Sequence, residues 1–135
     1  MEIKDNFCFA CSPKNPIGLK LQFSYSDGSA ITSWTPKKEF QGFPGILHGG
    51  IIATILDEVM AYAIIPKKVY APTVEMSIRF QKKIPIGQEL FAKGWIENEQ
   101  KNIIFVKGEI RNKNGEILAN ANGKYFVIEE LKSIK

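Results

Sequence analysis

Residues 51–65 read IIATILDEVMAYAII, and no other feature limits the possible folds of this chain so strongly. The length of the run and its many good helix formers favour a helix over a strand. Pro66 stops it, because a proline ring inside a helix removes a backbone hydrogen bond and clashes with the turn before it. Ile51, Ile52, Ile55, Leu56, Val59, Met60, Ala63 and Ile64 cover most of the helix circumference. A helix that is apolar nearly all round has to be buried. The run is interrupted by Asp57 and Glu58 and falls short of the ~20 residues needed to span a bilayer.

The rest of the chain reads as β-structure. Residues 19–26 alternate, with Leu19, Leu21, Phe23 and Tyr25 on one face. Asp27-Gly28 is a hairpin turn, and 30–35 form the returning strand. Residues 36–47 are loop. After the helix, Val74, Met76, Ile78 and Phe80 alternate with Glu75, Ser77, Arg79 and Gln81. Residues 84–87 punctuate, and 89–97 and 103–112 are further strands joined by a polar turn at 98–102. Asn114-Gly115 is a type I′ hairpin signal, and 116–128 form the last strand, with a frayed end from Glu129 onward. The order is strand, strand, helix and four consecutive antiparallel strands. The expected fold is therefore α+β, one domain over residues 1–135 in which a curved antiparallel sheet wraps one long central helix. Residues 1–18, rich in proline and turn formers, form an irregular N-terminal arm.

Composition narrows the function classes. With 135 residues, 44% apolar and 24% charged, the chain can bury a real core and is not a disordered segment. Its net charge of +4 is spread over doublets such as Lys37-Lys38, Lys67-Lys68 and Lys82-Lys83. That is not the dense basic stripe of a nucleic-acid binder, so no nucleic acid is expected as partner. A small polyanionic ligand suits it better. Residues 1–7 alternate charge with apolar side chains and lack the core of a signal peptide, which predicts a cytoplasmic protein and no membrane. Cys8 and Cys11 form one C-x-x-C, open to three readings: two reduced thiols in a loop, a redox pair, or half of a zinc site shared between subunits. A structural zinc needs four ligands, and His48 is the only other soft one, so no metal is expected.

Two places carry candidate chemistry. Gly49 and Gly50 stand at the mouth of the helix, where backbone amides have no internal partner and carry the positive end of the dipole. Such amides polarise a carbonyl oxygen and stabilise the oxyanion formed on attack; a tight turn into the helix explains the glycines equally well. Asp57 lies mid-helix, where a carboxylate is costly unless it is paired or used, and it is the candidate base or nucleophile. Gly50 and Asp57 are separated by roughly 10 Å along one helix axis, so both groups reach one carbonyl only if two chains of a dimer share the site. His48 is read as a capping or orienting group ahead of the glycines, and Thr73 as a hydroxyl that orients Asp57 or a water.

Residues 40–58, FQGFPGILHGGIIATILDE, resemble the signature of the hotdog acyl-CoA thioesterases, most closely the PaaI-type group named for phenylacetate degradation, within the 4-hydroxybenzoyl-CoA thioesterase-like superfamily. The CFAC and NPIGL segments of the arm are also similar to an arm in some of these proteins. The resemblance implies the hotdog fold and hydrolysis of an acyl-CoA to a free acid and coenzyme A. No separate cofactor is implied, since coenzyme A is part of the substrate. It assigns the oxygen-binding amide to Gly50, with Gly49, and assigns water activation or direct attack to Asp57 of the neighbouring subunit, with Thr73 holding the water or the carboxylate. It also implies homodimers, often paired into tetramers. Where several relatives carry an asparagine six or seven positions before the histidine, this chain has Gly42 and Gln41, so Gln41 is the expected substitute. Arg79, Lys82 and Lys83 are the expected phosphate contacts. The alternatives are a non-catalytic acyl-CoA binder or sensor, and a hydratase acting on enoyl thioesters.

Overall fold

The computed structural model describes residues 6–130. One helix, α1 (Gly49–Ile64), packs across a sheet built from β1 (Ser24–Ser26), β2 (Ser29–Trp34), β4 (Thr73–Phe80), β5 (Leu90–Gln100), β6 (Ile103–Arg111) and β7 (Ile117–Phe126). The sheet is antiparallel throughout, in the order β1-β2-β5-β6-β7-β4. The short strands β3 (Val69–Tyr70) and β8 (Glu129–Glu130) pair separately.

Period-two alternation shows most clearly in β6 and β7, where Ile104, Val106 and Ile110 and then Ala119, Ala121 and Tyr125 turn inward. They meet Ile55, Leu56, Val59 and Met60 of α1, all fully buried. Each such Leu or Ile contributes roughly 1.5–3 kcal/mol. The helix comes very close to the sheet: a Cβ on Gly94 of β5 would stand 2.4 Å from the Val59 carbonyl oxygen. Backbone cannot retract as a flexible side chain does. Gly94→Ala is therefore expected to cost about 3 kcal/mol and to lower Tm by roughly 10 °C in a thermal melt.

Several expectations change. The helix starts two residues early, at Gly49, and with the 3₁₀ turn Ile65–Lys67 the segment Gly49–Lys67 runs 19 residues, long and apolar enough by length and composition to cross a membrane. Its apolar character is explained by the sheet it packs on, which buries Ile52, Ile55, Leu56, Val59, Met60, Ala63 and Ile64. The opposite side, including Ile51, Asp57, Glu58 and Tyr62, stays half-buried, so the helix is not enclosed all round. Residues 19–23 are not strand. Leu19 and Leu21 are buried as their alternation predicts, but their amides donate to the Phe9 and Ala10 carbonyls of the arm, and Lys20 has φ +58. The polar turn at 98–102 shrinks to Lys101-Asn102, with a bulge between Ile96 and Asn98. Asn114-Gly115 turns the chain with only Gly115 at positive φ, because Asn112 Oδ1 accepts the Asn114 and Glu116 amides and widens the loop. Glu129 and Glu130 are not a frayed end but pair with Val69 and Tyr70; residues 131–135 lie outside the described residues.

β4 follows the helix in sequence, yet it crosses to the far edge of the sheet and pairs with β7. None of its residues is buried. Val74 and Phe80 are exposed, and Met76 and Ile78 half-buried, so the alternation read from the sequence is present without a core to cover its outer part.

Candidate active site

His48 sets the mouth of α1. Its backbone is extended (φ −62, ψ 137), and its Nδ1 accepts the Gly50 N–H at 2.8 Å. Its carbonyl accepts the Ile51 and Ile52 amides. The Gly50 amide is therefore occupied, contrary to the expectation that it is open to a ligand. A Cβ there would lie 3.1 Å from His48 Nδ1, so glycine at 50 makes room for the cap. Gly49 differs. Its N–H donates to nothing among the described residues, and it is exposed. The open donor at the positive end of the helix is Gly49.

Two turns on, Asp57 is half-buried and held from the sheet. Its Oδ1 accepts the Thr73 hydroxyl at 2.7 Å and the Tyr125 hydroxyl at 2.8 Å; the Tyr125 oxygen also lies 3.1 Å from the Asp57 carbonyl. Oδ2 has no protein donor among the described residues. The sequence reading missed Tyr125. The signal was present: in the buried phase of β7 it is the one large side chain after Ala119, Ala121 and Gly123, and a buried tyrosine needs a partner for its hydroxyl.

Burial, and then the Asp57 charge, push the Tyr125 hydroxyl well above the usual tyrosine range, so it stays a donor at any working pH. The folded chain thus holds that proton more tightly than the unfolded chain does. The stability involved is whole below the unfolded value of about 10 and is lost as pH rises beyond it. Thermal melts on the alkaline side should show Tm falling from about pH 10 upward, with a shallower fall in Tyr125→Phe. A hydrogen bond to a charged acceptor is worth roughly 1.5–3 kcal/mol, so Thr73→Val and Tyr125→Phe should each lower kcat/KM about tenfold or more in a thiol-release assay.

β4 runs beside α1 in the opposite sense. Thr73 at its start bonds Asp57, and Phe80 at its end reaches Gly49, where a Cβ would touch the Phe80 ring at 3.7 Å. A groove of about 610 Å³ opens at the Gly49 end, lined by Gln41, Gly42, Phe43, Leu47 and His48 among others. Gln41 Oε1 accepts the Gly45 N–H at 2.8 Å and so shapes that loop, while its amino group remains available. Arg79 lies at the same end of β4 and is exposed, as is Lys83; Lys82 is paired with Glu116. A larger hollow of about 680 Å³ on the outer side of the sheet, around Phe91, Lys93, Glu109 and Arg111, includes none of the nominated residues. Gly49 and Asp57, eight residues apart on one straight helix, are separated by roughly 12 Å along its axis.

The cysteines lie on the N-terminal arm and face α1 at Glu58, the residue after Asp57. The Cys8 thiol donates to Glu58 Oε2 at 3.4 Å, and Cys11 lies close by. Burial, with the Glu58 carboxylate adding to it, pushes the Cys11 thiol up. The expectation of no metal weighed only soft donors beside the two cysteines and so passed over Glu58.

Comparison with known proteins agrees with this architecture. The human acyl-coenzyme A thioesterase 13 is 25% identical over 99 residues, 71% of each chain. A thioesterase superfamily protein of known crystal structure superposes with a TM-score of 0.82 at 28% identity over 88% of this chain, which spans only 59% of that protein's length. The E. coli PaaI protein, from the phenylacetic acid degradation operon, shares the fold with a TM-score of 0.78 at 22% identity, over 84% of this chain and 83% of its own. The Thioesterase superfamily profile matches residues 44–119, which run from the groove loop through the helix and the Asp57–Thr73 contact into β7. By that match this chain belongs to the thioesterase superfamily.

Proposed function

We propose that the chain hydrolyses an acyl-CoA thioester, with the Gly49 amide binding the thioester oxygen and Asp57 of a second copy delivering the attack. The observation that carries this reading is the state of Asp57. One carboxylate oxygen is locked by Thr73 and Tyr125, and the other is left open on the half-buried side of α1. A carboxylate held in that way is oriented before substrate arrives, which suits a base or a nucleophile. The acyl-coenzyme A named for the human relative supplies the substrate class.

The geometry of β4 supports the second copy. It is an edge strand with no buried residue, exposing Val74 and Phe80, and such an edge invites pairing. Antiparallel pairing of two β4 strands about a two-fold axis sets the Thr73 end of one against the Phe80 end of the other. Asp57 of one chain then faces Gly49 of its partner, removing the separation of roughly 12 Å within one helix. In this arrangement Gln41 offers an amino group to the thioester oxygen, and Arg79 and Lys83 line the approach for the phosphates of coenzyme A. Lys82 joins them only by leaving Glu116, a small cost for an exposed ion pair.

A thiol-release assay over acyl-CoAs of increasing chain length tests the reading. Saturable release of free coenzyme A from a dimeric species is the expected result. Tight acyl-CoA binding with no turnover for any member would replace it with the non-catalytic binder. The hydratase reading is weaker, because His48 Nδ1 is engaged at Gly50 rather than paired with Asp57.

A further inference from the structure

Cys8, Cys11 and Glu58 have no part in the proposed hydrolysis, yet the fold brings them together from distant parts of the chain. Cys8 and Cys11 sit on one tight turn, closed by the Ser12 N–H donating to the Cys8 carbonyl at 3.0 Å. Ser12 Oγ donates to the Asn6 carbonyl at 2.8 Å, and Asn15 Nδ2 to the Phe7 carbonyl at 3.1 Å, so the turn is built by its own side chains. Glu58 approaches from α1. One ligand atom from each of the three lies within 4.8 Å of the others, and all three residues are half-buried.

These distances match those of a coordination shell. Tetrahedral zinc, with sulfur at about 2.3 Å and a carboxylate oxygen at about 2.1 Å, holds sulfur and oxygen about 3.6 Å apart. Cys8 Sγ and Glu58 Oε2 stand at 3.4 Å. The remaining spread closes by a shift of about 1 Å in side chains at the surface of the arm. A disulfide would join the two sulfurs alone and has no use for the carboxylate between them and the helix.

We propose that Cys8, Cys11 and Glu58 bind one zinc-type divalent cation, which clasps the N-terminal arm to α1 at the residue following Asp57. Binding forms two metal–sulfur bonds and one metal–oxygen bond. Each thiol releases a proton to solvent, and nothing is oxidised or reduced. Two thiolates and a carboxylate against a doubly positive ion leave one net negative charge. Sulfur donors select zinc over magnesium or calcium. Water fills the fourth position.

The test uses the full chain, purified reduced, stripped with a chelator and titrated with Co²⁺ and then Zn²⁺. One equivalent of Co²⁺ should produce sulfur-to-cobalt charge-transfer absorption that Zn²⁺ abolishes, with two protons released and a rise in Tm. Cys8→Ser and Cys11→Ser should each remove the band. Glu58→Gln should keep it while weakening Co²⁺ binding by more than about tenfold. Melts in chelator show whether each variant folds as the parent does; for one that does not, alkylating both thiols in the folded parent replaces it and should abolish binding. Three results would overturn the site: no band with wild type, a band indifferent to both cysteine changes, or a Glu58→Gln titration equal to the parent's. A fourth would overturn it in favour of a redox pair: air oxidation of the stripped chain to a Cys8–Cys11 disulfide with no prior Co²⁺ binding.

Discussion

Asp57→Asn is expected to lower kcat/KM for acyl-CoA hydrolysis by about 10³-fold while leaving Tm near that of the parent chain. The substitution separates chemistry from fold. An asparagine oxygen still accepts the Thr73 and Tyr125 hydroxyls that hold Oδ1, so the anchoring of α1 to β4 and β7 survives. What is lost is the charge on the open oxygen, without which the side chain neither takes a proton from water nor attacks the acyl carbon. Steady-state thiol release together with a thermal melt decides the matter. Activity within about threefold of the parent would remove Asp57 from the reaction.

Gly49→Pro is expected to reduce kcat by about 10²–10³-fold, the cost of deleting one oxyanion donor. Proline deletes the N–H and little else here. Position 49 is the first residue of α1, where proline is tolerated, and His48 already has the extended backbone that a residue before proline requires. Gly50→Pro is the contrasting change. It removes the amide engaged by His48, so it should disturb the helix mouth and Tm more than the reaction itself. Refolding Gly49→Pro together with Asp57→Asn tests the shared site directly. Half of the dimers are mixed and each mixed dimer keeps one intact pair, so activity returns to about a quarter of the parent's. No recovery from the mixture would place both groups in the same chain.

Much of this was legible in the residues. The helix, the position of Asp57 on it and the glycines ahead of it all follow from local rules, namely side-chain periodicity and proline geometry. The boundary error at Gly49 has a local cause as well. His48 acts as the cap, as its position suggested, but the reading began the helix at Ile51 and left the glycines at its mouth. With the cap in place the roles of the two glycines separate, and the candidate oxygen-binding amide moves from Gly50 to Gly49.

Other features depend on which segments meet. Tyr125 finds Asp57 across 68 positions, and Cys8 finds Glu58 across 50, and no periodicity carries such information. The same holds for β4. Its alternation resembles that of β6, and only the sheet order shows that β6 is central and β4 is an edge.

By itself the sequence determined the long helix, most of the strands and the placing of Asp57 and the glycines on that helix, because helix and strand periods are properties of neighbouring residues. The tertiary structure decided which donors hold Asp57, which amide at the helix mouth is open and which strand lies at the edge. Those depend on loop crossovers and on packing across the sheet, where partners are selected by fit in space rather than by separation along the chain.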